Sequence, residues 1–74
     1  MDRITANPRI LGGKPVIKGT RISVELVLNL LASGVPEHDI LTDYPHISKE
    51  DIQACLSYAA NALKNEVYLS LESA

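Results

Sequence analysis

The chain has 74 residues, a formal net charge of −2 and a single cysteine, Cys55. One small domain fits that length, spanning 1–74 with a β/turn segment over 1–22 and a helical part over 23–74. An internal disulfide is excluded, and no Cys/His cluster has zinc spacing, so self-association or a protein partner is the expected support for so small a core.

No apolar run, Leu30-Leu31-Ala32 included, approaches the length of a membrane span. Met1-Asp2-Arg3 leads into no signal-peptide core, and the expected location is cytoplasmic. Charge is uneven. Residues 1–21 carry Arg3, Arg9, Lys14, Lys18 and Arg21 against Asp2, while 22–74 carry Lys49 and Lys64 against eight acids. A basic end of this kind marks either an electrostatic partner surface or a solvated strand edge guarded by lysines.

Asp2–Ala6 reads as a short strand, closed by the turn signal Asn7-Pro8. Val16-Ile17-Lys18 is a second strand candidate, able to pair with the first as a hairpin or across a dimer. Around it lie Gly12-Gly13-Lys14-Pro15 and Gly19-Thr20-Arg21, where glycine permits positive φ and proline fixes φ near −65°. Gly13, Pro15 and Gly19 read first as structural turn residues. Lys14, Lys18, Thr20 and Arg21 are candidates to grip phosphate or carboxylate, with Arg21 alternatively pairing an acid such as Glu25.

Ser23 is a natural N-cap for a helix from Val24 to Ser33, whose apolar face is Leu26, Val27, Leu30 and Leu31. Gly34 occupies the C′ position and Val35 the hydrophobic position behind it. Pro36 fits the first turn of a second, short helix ending near Asp43, because Tyr44 precedes Pro45. Ser48-Lys49-Glu50-Asp51 is a capping box opening a third helix that reaches about residue 70. Its apolar stripe is Ile52, Cys55, Leu56, Ala59, Leu63 and Val67; the apolar end, Val67 to Leu71, exceeds what a three-helix core needs. Its polar face, Lys49, Gln53, Ser57, Asn61 and Lys64, could meet DNA edges, since Gln and Asn bond bidentately to adenine. Glu50 and Asp51 at the same helix end, and a pI near 5.5, oppose that reading.

The string from Gly13 to Val24 resembles the domain-of-unknown-function family four hundred and thirty-three. The likeness continues through Leu31–Gly34, Ile40–Pro45 and Asp51–Ala59, covering roughly residues 4–60. The resemblance implies a mainly α, homeodomain-like helix-turn-helix core with a short N-terminal strand pair, commonly dimeric. It also implies a VapB-type antitoxin role beside a PIN-like ribonuclease toxin, with possible promoter binding. A stand-alone transcriptional regulator and a homodimeric scaffold without nucleic acid remain alternatives. Catalysis is not expected: His38 and His46 belong to no recognisable nucleophile–base constellation, and His38 with Asp39 or Asp43 falls short of a metal site. No cofactor or small-molecule substrate is expected.

Overall fold

The computed structural model describes residues 2–64. Two short strands, β1 (Ile4–Ala6) and β2 (Pro15–Ile17), precede three helices, α1 (Val24–Ala32), α2 (Glu37–Asp43) and α3 (Lys49–Lys64). The sequence pattern led to this mainly helical architecture with an N-terminal antiparallel pair. The third helix was expected to continue to about residue 70, a stretch that lies outside the described residues, as do Val67 to Leu71.

β1 and β2 pair within one chain, with Ile4 opposite Ile17, Thr5 opposite Val16 and Ala6 opposite Pro15. Pro15 takes the first position of its strand, where a missing N–H costs least. The second strand sits one residue earlier than Val16–Lys18, because Lys18 already belongs to a turn. An isolated ribbon of this size is marginal in water. Here it lies on α1 and α3, with Val16 and Ile17 fully buried against the helices.

The helix ends follow local chemistry. Ser23 Oγ accepts from the Leu26 N–H at 2.9 Å, which caps α1. At the far end the Val35 N–H donates to Leu30 O and the Gly34 N–H to Leu31 O, both at 3.0 Å. That pair is a Schellman motif, with Gly34 at φ 89° as its left-handed residue. α1 therefore stops at Ala32, and Ser33, expected inside the helix, is its C-cap. Pro36 is the N-cap of α2 and not its first helical residue; its carbonyl accepts from the Asp39 and Ile40 N–H groups. Tyr44 ends α2 with non-helical φ, as the following proline requires.

The core is Ile17, Ile22, Val24, Val27, Ile40, Ile47, Ile52 and Cys55, with Leu26, Leu30, Leu31 and Tyr44 packed on its flank. On α3 the stripe expected from the sequence is only half right. Ile52 and Cys55 are buried and Ala59 is half-buried, but Ala54 is also buried while Leu56 is 48% and Leu63 63% exposed. The α3 sequence is apolar on more than one side, so periodicity left its rotation undetermined. Tertiary contact with α1 and β1 fixes it.

Candidate functional site

The basic segment folds as two shaped turns around β2. The first is a 3-10 turn over Leu11–Gly13, in which all three residues have positive φ: 50°, 67° and 91°. Gly12 and Gly13 reach this region without strain. Leu11 does so against its Cβ, a conformation that costs about 1–2 kcal/mol for an L-residue. Its side chain is nonetheless 45% exposed, so no core packing offsets that strain. No sequence signal marked Leu11; the adjacent glycines pointed to a turn but not to which residue would bear it.

The second turn is a four-residue loop, Lys18–Arg21, closed by the Ile17 N–H donating to Ile22 O at 2.9 Å. Inside it the Thr20 N–H donates to Ile17 O at 3.0 Å, with Gly19 at φ 82° as the positive-φ residue of the turn. Nothing lies within 4 Å of a Cβ built on Gly19, so glycine is required for its φ and not for room. Thr20 Oγ1 donates to Ile17 O at 2.7 Å and accepts from the Ile22 N–H at 3.0 Å. That hydroxyl is fully engaged in the loop, which makes Thr20 its brace. The Lys18 N–H is fixed to Arg3 O at 2.7 Å. Both Lys18 and Arg21 project as exposed side chains from a backbone held on each side.

Two of the other N-terminal cations have ion-pair partners. Lys14 Nζ pairs with Glu25 Oε1 at 2.9 Å, with both side chains more than half exposed. Glu25, one acid considered for Arg21, is therefore taken by Lys14. Arg3 Nη1 donates to Asp51 Oδ1 at 3.0 Å. Arg9 is exposed beside an Asx turn in which its N–H donates to Asn7 Oδ1. Among the described residues, Arg9, Lys18 and Arg21 make no ion pair.

Asp51 is the residue whose setting differs most from a solvated surface acid. It is 9% exposed. The capping box is reciprocal: the Asp51 N–H donates to Ser48 Oγ at 3.2 Å, and Asp51 Oδ2 accepts the Ser48 N–H at 2.9 Å. Burial pushes its pKa up, but the Ser48 hydrogen bonds and the Arg3 guanidinium outweigh it, and the carboxyl stays below its ordinary value. Its charge is thus matched from within the chain. Glu50 remains as the exposed acid at that helix end.

Lys49, Gln53, Ser57 and Asn61 form one exposed row along α3, as their four-residue spacing requires. This row and the Lys18–Arg21 loop lie on separate elements. Cys55 is fully buried, and burial, with Asp51 one turn away, pushes its thiol up to about 11. It is a core side chain and stays protonated at neutral pH. Among the described residues, no three His, Cys, Asp or Glu side chains come together as a metal site would need, and no helix is long and apolar enough to cross a membrane.

A groove of about 480 Å³ opens between α1 and the second half of α3. Pro15, Val24, Leu28, Tyr58, Ala59 and Leu63 line it, and the Lys14–Glu25 pair stands among its walls.

A strand pair seated on three helices, with a braced basic loop leading into the first of them, is the architecture of the described residues. The chain belongs to the family described as "Protein of unknown function (DUF433)", whose model matches residues 4–59. It is 39% identical over 62 residues to the uncharacterized protein y4eO of Sinorhizobium fredii (strain NBRC 101917 / NGR234), a match covering 82% of this chain. The chain spans only 28% of that relative's length. It also resembles the crystal structure of a DUF433 member protein from Anabaena variabilis ATCC 29413, with a TM-score of 0.81 and 28% identity. That likeness covers 86% of this chain and 63% of the other.

Proposed function

We propose that this chain is an antitoxin-like regulatory protein that binds a PIN-like ribonuclease toxin and binds promoter DNA as a dimer, without catalytic activity of its own. The role comes from the sequence resemblance. The structural observation that supports it is the presentation of Lys18 and Arg21 on a braced loop, with no acid of the described chain paired to them. A ribonuclease that holds its metal with carboxylates offers a concentrated negative site. A planar guanidinium and a compact ammonium on a pre-ordered loop suit that site, since little side-chain and loop ordering remains to be lost on binding. Neutralisation follows if these cations occupy carboxylates that otherwise hold the metal.

Affinity purification from the native host, followed by mass spectrometry, tests the partner. A stoichiometric PIN-like protein is the expected companion. With that partner in hand, Lys18→Glu with Arg21→Glu should weaken the complex by at least about tenfold, and more at low salt. Retained affinity would sink the electrostatic mechanism.

A second reading, a stand-alone DNA-binding regulator, draws on the exposed row Lys49, Gln53, Ser57 and Asn61. It requires binding to the chain's own upstream DNA that falls steeply with salt. Gln53→Ala should then relax base preference more than affinity. If sequence preference is unchanged, α3 is not the reader.

A further inference from the structure

The helix pair α2–α3 is badly charged for a polyanion. In a helix-turn-helix the first helix of the pair crosses the phosphate backbone of the duplex. Here that helix is α2, whose charges are Glu37, Asp39 and Asp43, with no lysine or arginine among them. On α3, Lys49 is followed by the exposed Glu50, and Lys64 lies at the other end, about 22 Å away along the axis. α1 adds Glu25 and no cation.

The end of the β1–β2 ribbon has the opposite character. One step beyond Ile4 and Ile17 the register sets Arg3 opposite Lys18, and the Lys18 N–H donates to Arg3 O at 2.7 Å. Like charges directly opposed across an antiparallel pair repel. Asp51 answers Arg3 alone, and half of that arginine side chain stays in water. Arg21 leaves the same loop as Lys18, and neither has an ion pair among the described residues. Two main-chain donors join them: the N–H groups of Gly19 and Arg21 have no acceptor among the described residues. Nothing lies within 4 Å of a Cβ built on Gly19, so an anion can approach that stretch of backbone. Asp2, exposed beside Arg3, is the one acid here that opposes an anion. A phosphate accepts from a guanidinium, an ammonium and backbone N–H groups alike, and such contacts position a protein on nucleic acid.

We infer that the ribbon end, through Arg3, Lys18 and Arg21, is where this chain meets the phosphate backbone of a nucleic acid, in place of α2. The inference rests on the DNA-binding part of the proposed function and gives it a surface; the toxin is not needed for it. It also makes the two partners rivals, because a loop engaged by phosphates is closed to a toxin's carboxylates.

Fluorescence anisotropy tests it, with the full chain, a labelled random-sequence DNA duplex and a salt series from about 50 to 200 mM. Lys18→Gln with Arg21→Gln is compared with Lys49→Gln with Lys64→Gln. All four side chains are exposed, so circular dichroism and melting should show both variants folded. Each pair removes two charges, so an effect of net charge alone would appear equally in both. The expected result is that the slope of log affinity against log salt falls by about 2 in the loop variant, roughly one per lost phosphate contact, and by at most about 1 in the α3 variant. An unchanged slope in the loop variant, or an equal fall in both, overturns the assigned surface and leaves DNA binding standing. No binding by wild type at about 50 mM salt overturns the surface and the DNA-binding part of the proposed function together, and leaves toxin binding standing.

Discussion

Asp51 joins two distant parts of the chain through one side chain and its own N–H. It closes the capping box with Ser48 and accepts from Arg3, so the start of α3 and the start of the ribbon share a carboxylate. Asp51→Ala should cost about 1–2 kcal/mol in urea or thermal unfolding, most of it from the cap. Arg3→Ala should cost less, about 0.2–1 kcal/mol, because half of the arginine side chain is in water. The pH dependence has a definite sign. A carboxyl with a depressed folded-state pKa stabilises the fold above the ordinary carboxylate value, and that contribution is lost as pH falls through the lower value. The gap in melting temperature between wild type and Asp51→Asn should therefore close in acid, at pH below about 4. A gap that stays constant from pH 7 to pH 2 would show that the charge contributes nothing. Leu11 carries strain of the opposite kind. Leu11→Asn, which tolerates left-handed φ better, should raise stability by up to about 1 kcal/mol. If it instead weakens partner binding while stabilising the fold, the exposed leucine is itself a contact.

At the scale of elements, the helix boundaries were legible because their signals are local. Ser23, Gly34, Tyr44-Pro45 and Ser48 with Asp51 each act on backbone groups within a few residues, and the structure uses every one of them. Gly34→Ala should cost about 1 kcal/mol by forcing a Cβ into left-handed φ at the α1 terminus. What escaped the sequence was long-range. Nothing near Asp51 announces Arg3, 48 positions away. Nothing near Glu25 says whether Lys14 or Arg21 will claim it. The rotation of α3 is hidden by its own composition: Ala54, Cys55, Leu56, Ala59, Ala62 and Leu63 offer apolar surface in several directions. For the candidate site, the sequence marked the residue types of the basic loop. Thr20's role as a brace needed the geometry of Ile17 and Ile22.

At the scale of the whole molecule, the charge asymmetry of the sequence survives folding in reduced form. Arg3 and Lys14 are matched by Asp51 and Glu25, which leaves Arg9, Lys18 and Arg21 of the N-terminal segment, like Lys49 and Lys64 of α3, without an ion pair among the described residues. An acidic partner of the Lys18–Arg21 loop therefore meets two cations with no ion pair among the described residues, and binding there should weaken as salt shortens the screening length. Cys55 offers an internal probe of the fold as a unit. Its thiol is fully buried and raised to about 11, so alkylation at pH 8 must wait for opening of the core. The alkylation rate should track global stability across the variants above. Fast labelling without unfolding would mean that α3 detaches locally.

The Arg3–Asp51 link also bears on the order in which the chain organises. It joins residues 48 positions apart, while the caps and turns of the helices close over three to five. Loop closure of that length forfeits entropy before any contact returns it, so short-range structure has the kinetic advantage. The N-terminal ribbon should thus dock late, onto helices already assembled. Arg3→Ala should leave the refolding rate nearly unchanged and speed unfolding, so that the guanidinium acts as a latch on escape from the native state and not as a guide into it.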